Sequence, residues 1–268
     1  MKLDEIQLDP IGIVTSSAFV QKWGTPRQGA LTPEAAADIS LTRHIGSTVS
    51  VDDRVAIVWS AHLNGDSFNF LKARIKPPKK ILGKRTVGVF ATRGVHRPSS
   101  IGLTFCRVSK IDGLVLSVTG ADMILGTPVL SIQKIHNHLS IDPNTVRCPD
   151  WTKVEKIAIR WSLGSFMHLS SLGLHAQKQI TSLVESTLSQ DPRSVHSVYK
   201  HVDPIYEVEL RVGELTTDTI WVIYRHHFDW VEVVTTTTTR VVSSYRSRTE
   251  QWLHRLVEKL PFIQDFHR

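Results

Sequence analysis

Three short stretches of the sequence concentrate side chains that can bind a polar ligand. Gly24-Thr25-Pro26-Arg27-Gln28-Gly29 presents a guanidinium and an amide between glycines. Val89 to Leu103 reads as a strand, then a polar loop carrying Arg93, His96 and Arg97, then another strand. Gly120 to Val129 repeats the strand–loop–strand plan around Asp122. Gly and Pro punctuate all three. Each alone also reads as an ordinary surface turn; loops at one rim of a rigid sheet can nevertheless converge on a ligand.

The elements that would hold these loops are mostly strands. Ile11–Val14, Ala37–Leu41, Val55–Ala61, Phe70–Ile75, Val87–Ala91, Ile101–Val108, Leu114–Thr119 and Val129–Ile132 are short β-branched or apolar runs bounded by turn formers. Their regular spacing, with little helical periodicity, predicts a sheet closed into a barrel, because closure removes exposed strand edges. A doubly wound nucleotide fold is excluded, since no G-x-G occurs and helical patterns are missing between the strands.

Turn formers between Asp142 and Asp150 predict a boundary, giving a barrel domain over 1–148 and a smaller α+β domain over 149–268. In the latter, Val154–Trp161 alternates like a strand. Ile180, Leu183, Val184, Thr187 and Leu188 make one apolar helical face within 174–188, as expected for an amphipathic helix. Strand-like runs follow at Tyr206–Val212, Thr219–Arg225 and Trp230–Thr236, then an apolar stripe from Trp252 to Leu260 that Pro261 stops.

The charge is unevenly placed. The formal net charge is +7, and Ser67 to Ile111 contains no Asp or Glu but 11 Lys and Arg, so the positive excess lies in this one stretch. Such a run fits a polyanion-binding surface or a solvated basic loop. No apolar stretch is long enough for a membrane span, and no signal or transit peptide is apparent. Two cysteines, Cys106 and Cys148, are too few for a disulfide framework or a zinc site. A reduced compartment, the cytoplasm, and no bound metal are expected.

Together the motifs carry a family resemblance. PRQGALTPEAAADISL, WSAHLNGD, KPPKK, GKRTVGVFATRGVHRPSSIGLT and GADMILGTPVLSI resemble, in order and spacing, the TrmO/TsaA-type family of S-adenosylmethionine-dependent tRNA N6-methyltransferases, over Ile11 to about Ile135. Asp191-Pro192-Arg193 resembles that family's D-P-R-P-A-Y signature. The resemblance implies a single-sheeted β-barrel, a homodimer, and methylation of N6 of threonylcarbamoyladenosine beside the tRNA anticodon. It implies cofactor contacts at Pro26, Arg27, Gln28, His62, Leu63, Arg93, Leu103, Asp122, Met123, Ile124, Leu125 and Gly126.

The chemistry suits those residue types. The methionyl carboxylate of the donor calls for a guanidinium, which Arg27 or Arg93 supplies. Gln28 or the Asp122 loop can read the adenine edge. The carbamoylated acceptor has a comparatively acidic N–H, so a modest base suffices; His62, His96 and Asp122 are the candidates. Arg97 is matched to the threonyl carboxylate. Lys72, Arg74, Lys79, Lys80, Lys84, Arg85, Arg97 and Arg193 are matched to the anticodon stem-loop backbone.

This sequence departs from the family pattern mainly on the acceptor side. Gly94-Val95 replaces Ser-Pro, Ser99-Ser100 replaces Asn-Pro, and Leu125 replaces Asp. Ser131-Ile132-Gln133-Lys134-Ile135 replaces D-I-K-P-Y. A catalytically silent RNA-binding subunit of a ribonucleoprotein, or of its assembly, is therefore the alternative expectation.

Overall fold

The computed structural model describes residues 7–20, 24–44, 48–64, 74–75, 86–95, 97–136, 156–193, 205–212, 218–227 and 229–238. The chain divides into two compact units, Met1–Ala18 with Arg27–Val154, and Phe19–Pro26 with Glu155–Arg268. This division differs from the expected one at 148/149, and it takes Phe19–Pro26 out of the first unit. The reason is local pairing: Phe19 bridges Leu210, and Gly24 lies so close to Val208 that an added Cβ would come within 2.4 Å of its Cγ2.

In the first unit, β1 (Gly12–Ser17), β2 (Ala36–Leu41), β3 (Arg54–Ser60), β6 (Ile101–Asp112), β7 (Val115–Thr119) and β8 (Pro128–Lys134) form a closed barrel in the order β1-β2-β7-β6-β3-β8. Every neighbouring pair is antiparallel. A two-stranded ribbon, β4 (Arg74–Ile75) with β5 (Val87–Gly88), stands apart from the barrel sheet. Val89–Ala91, expected to extend β5, instead turns as a short 3-10 helix.

Strand alternation explains the core. Along β6, Gly102, Thr104, Cys106 and Val108 are buried while Leu103, Phe105 and Arg107 are exposed, since successive side chains point to opposite faces. Val14, Ile39, Val55, Ile57, Leu116, Val118, Met123 and Val129 form the apolar cluster inside.

The second unit holds a four-stranded sheet, β10 (Ile205–Val212), β11 (Asp218–His226), β12 (Trp230–Thr237) and β9 (Ala158–Trp161), in that order. β9 is parallel to β12 and the other pairs are antiparallel. Two helices pack on it, α1 (Leu163–Ser171) against β12 and α2 (Leu174–Leu188) against β10. Helix α2 buries the face expected of it. Helix α1 has no sequence expectation because its apolar spacing misleads: Leu163, Phe166 and Met167 are exposed, whereas Ser165 and Leu169 are buried. Ser162 starts it, its Oγ accepting the Ser165 N–H at 3.1 Å, a cap worth about 1 kcal/mol. The expected stripe from Trp252 to Leu260 lies outside the described residues.

Leu116 has no exposed surface, and Leu116→Ala is expected to destabilise the protein by about 2–5 kcal/mol. The measurement is the urea unfolding midpoint of the barrel, with a loss well below that range indicating that Leu116 does not fill the core.

Candidate active site

The site is organised by one carboxylate. Thr104 projects inward from β6, almost fully buried, and its hydroxyl donates to Asp122 Oδ1. The same oxygen of Thr104 accepts the indole N–H of Trp59, on β3, at 2.8 Å. Asp122 also accepts the backbone N–H of Gly29 and its own backbone N–H.

Burial pushes the Asp122 carboxyl above its usual range; the Thr104 hydroxyl, the two backbone N–H groups and the charge of Arg93 pull it back without cancelling the effect. Dehydrating a carboxylate favours its neutral form, and donors or a nearby cation favour the ionised one. Beneath it the Cys106 thiol is also pushed up, by its own burial first and then by the charge of Asp122.

Two glycines make the loops fit. At Gly29, an added Cβ would come within 2.3 Å of the Gly120 carbonyl oxygen and 3.0 Å of the Asp122 nitrogen. The Arg27–Leu31 and Gly120–Gly126 loops are thus in direct backbone contact. Gly126, at φ +80°, follows Leu125 in a turn closed by Thr127 N–H on the Ile124 carbonyl at 3.2 Å, a conformation that side chains disfavour. An added Cβ at Gly126 would lie 4.0 Å from His62 Nε2, which puts that imidazole at the edge of the Asp122 loop.

The loop holding Arg93 is tied to the same end. Asn64 Nδ2 donates to the Val95 carbonyl at 2.9 Å, and Ala61 N–H to the Ser100 carbonyl at 2.8 Å. Arg97 donates from Nε to the Gly94 carbonyl at 2.9 Å and from Nη2 to the Thr92 carbonyl. These bonds hold a loop in which Gly94-Val95 and Ser99-Ser100 have removed two prolines of the family pattern. The Arg93 guanidinium carbon lies 5.9 Å from the centroid of the Phe105 ring, within cation–π range.

His62, Arg93, Asp122 and Gly126 are therefore brought to one end of the barrel with Trp59, Thr104, Asn64 and Gly29, and Arg27 and Gln28 belong to the loop whose Gly29 touches Asp122. The other expected residues are placed differently. Pro26 is buried in the second unit. Met123 is a core residue whose carbonyl accepts the Ser17 hydroxyl at 2.7 Å, so its side chain is not offered to a ligand. Leu103 lies on the outward face of β6, 40% exposed, Leu63 is exposed, and Ile124 and Leu125 are half-buried.

Several basic residues matched to RNA are engaged within the chain. Arg74 donates to the Thr86 hydroxyl and carbonyl at 2.8 and 2.6 Å, clamping the ribbon. Arg193 makes a two-point pair with Asp191, at 2.6 and 2.9 Å, 11% exposed at its side chain, and faces the Tyr206 ring. His96, Lys72, Lys79, Lys80, Lys84 and Arg85 lie outside the described residues. Among the described residues no group of three His, Cys, Asp or Glu side chains could hold a metal ion, and no helix is long and apolar enough to cross a membrane.

Residues 14–139 match the tRNA-methyltransferase O N-terminal domain family. The chain is 30% identical over 146 residues to a tRNA (adenine(37)-N6)-methyltransferase of Eikenella corrodens, covering 52% of this chain and 79% of that protein. It is 28% identical over 211 residues to RcsF of Pseudomonas aeruginosa, named as a candidate S-adenosylmethionine-dependent methyltransferase, covering 78% of this chain and 89% of RcsF. A tRNA (adenine(37)-N6)-methyltransferase of Mus musculus is 38% identical over 132 residues; the match covers 47% of this chain but only 30% of the mouse protein. A crystal structure of TrmO superposes with a TM-score of 0.66 at 23% identity, covering 88% of this chain and all of that one; at that identity the likeness is one of fold.

A raised carboxyl pKa in the folded state means that stability is fully present at low pH and is lost as pH rises through the folded value, from about pH 4 upward. Asp122→Asn keeps an acceptor for Thr104 and Gly29 but has no charge to bury. Its urea midpoint should fall less than that of the wild type between pH 4 and pH 7; an identical pH dependence would show that Asp122 is not held in a drying environment.

Proposed function

The chain belongs to the tRNA-methyltransferase O family, whose relatives carry S-adenosylmethionine-dependent methyltransferase names, and we propose that it methylates N6 of threonylcarbamoyladenosine in a tRNA anticodon loop. What supports this reading is that Gly29 of the Arg27–Leu31 loop, His62, Arg93 and Gly126 all lie about the Asp122 loop at one end of the barrel.

The donor set fits the cofactor. S-adenosylmethionine supplies an electrophilic methyl group together with an amino acid end and an adenosine. Arg27 and Arg93 complement its carboxylate by charge-assisted hydrogen bonds. The Asp122 carboxylate suits an ammonium or a hydroxyl of the cofactor. Gln28 and the backbone groups of the Asp122 loop can read the adenine edge. Gly29 lets its loop close against Gly120 and Asp122, and Gly126 supplies the positive φ of the turn beside His62.

Transfer between a positioned donor and acceptor needs little covalent help, so orientation supplies most of the rate. Asp122, with its proton affinity increased by burial, and His62 at the loop edge are the described groups suited to take the acceptor proton. In the same reading the basic stretch with Lys72, Lys79, Lys80, Lys84 and Arg85 contacts phosphates, which makes binding steeply salt-dependent. The outward Leu103 and Phe105 offer apolar surface to a second copy, in keeping with a homodimer, and the site of action is cytoplasmic.

One observation favours a second reading. Two donor positions of Arg97 are bonded to carbonyls of its own loop, which weakens its match to the threonyl carboxylate. Together with the replaced acceptor-side motif, this supports an RNA-binding relative without turnover.

Incubation with S-adenosylmethionine and tRNA carrying threonylcarbamoyladenosine, followed by mass spectrometry of the nucleosides, separates the two. A 14-dalton gain on the modified nucleoside (the mass of a CH2, about one methyl for one hydrogen in an N6-methylation reaction) is the expected result. Cofactor binding without that product supports the second reading and overturns the first.

A further inference from the structure

The network behind Asp122 has a direction fixed by donor chemistry. An indole N–H only donates, so the 2.8 Å contact from Trp59 Nε1 to Thr104 Oγ1 has a single polarity. It occupies one acceptor site of the hydroxyl. The Thr104 proton is then turned toward Asp122 Oδ1. Gly29 donates to the same carboxylate from another loop, so the group is gripped from two elements.

Space for this arrangement comes from Gly102. It pairs in register with Trp59 across β3 and β6, and an added Cβ there would come within 2.3 Å of the indole Cε2. The indole therefore lies across the bare backbone of Gly102 and reaches Thr104, two residues along the same inward face. All three residues belong to the paired strands of the barrel wall, and Thr104 meets the cofactor-matched loops only through Asp122.

We propose that Trp59, Thr104 and Gly102 form a positioning relay that keeps the Asp122 carboxylate oriented as a hydrogen-bond acceptor toward the ligand side of the site. The relay deepens the methyltransferase reading and rests on it for its role in catalysis. Trp59 orients the hydroxyl, Thr104 orients the carboxylate, and Gly102 gives the indole its seat. Thr104 is a positioning residue, acting through Asp122 rather than on the substrate.

The test compares Thr104→Val, which keeps the shape and loses the hydroxyl, with Thr104→Ser, which restores it. Trp59→Phe removes the indole donor and keeps an aromatic ring at that position. Two readouts are taken: the pH profile of kcat for methyl transfer, and the titration of the Asp122 side-chain carboxyl by carbon-13 NMR. Loss of a donor to the ionised carboxylate favours the protonated form. Thr104→Val should shift the Asp122 titration to higher pH by about one unit and lower kcat roughly ten-fold, with little change in KM, an effect the size of one lost charge-assisted hydrogen bond. Trp59→Phe should shift both in the same direction by less, and Thr104→Ser should return both toward wild type.

The NMR readout does not require turnover. An inactive wild type in which Thr104→Val still shifts the carboxyl overturns the methyltransferase reading and supports the relay. A folded Thr104→Val with an unshifted Asp122 titration overturns the relay, whatever the activity of the wild type. So does a Thr104→Ser that fails to restore the titration.

Discussion

The first unit depends on one constraint: a half-buried carboxylate must find donors within the protein. Burying an ionised group without partners is costly, and Asp122 meets that cost by recruiting Thr104 from a strand and Gly29 from a distant loop. The Gly29 contact requires the two loops to touch backbone to backbone, which any side chain at that position would prevent. The loops that carry Arg27, Gln28 and Gly126 are thereby fixed against one another before any ligand arrives. Barrel closure supplies the rigid frame, because β3 and β6, which carry Trp59 and Thr104, are both paired along their length.

Much of this frame was legible in the sequence, since alternation survives wherever one face of a strand is buried. The runs around Val55 and Ile101 became β3 and β6, and 174–188 became α2 over that same span. What escaped the sequence has physical causes. Helix α1 buries serine and exposes large apolar residues, so its pattern points the wrong way. Trp59 and Thr104 look like ordinary strand residues, and their partnership with Asp122 exists only through pairing across strands. The membership of Phe19–Pro26 in the second unit rests on the Phe19 bridge to Leu210 and the approach of Gly24 to Val208, which no local pattern announces.

Charge told a similar story. A guanidinium can satisfy carbonyls, carboxylates or phosphates equally well, and sequence alone does not say which it has found. Arg97 fixes the loop that lost its prolines, Arg74 clamps a ribbon, and Arg107 and Lys110 pair with Asp52 and Asp112 at 2.9 and 3.1 Å. Exposed pairs of that kind add little stability, but they lower the charge presented to a nucleic acid. In the second unit, Arg193 and Asp191 are largely enclosed, with His226 Nε2 at 3.6 Å from the same carboxylate, so the segment resembling the family signature is built into the packing of that unit.

The proposed activity requires that the cofactor bind at the Asp122 mouth. Calorimetric titration of S-adenosylmethionine into the wild type and into Asp122→Asn asks this directly. Loss of one charge-assisted contact should weaken binding roughly ten-fold or more in a variant that remains folded. Equal affinities in the two proteins would contradict the account.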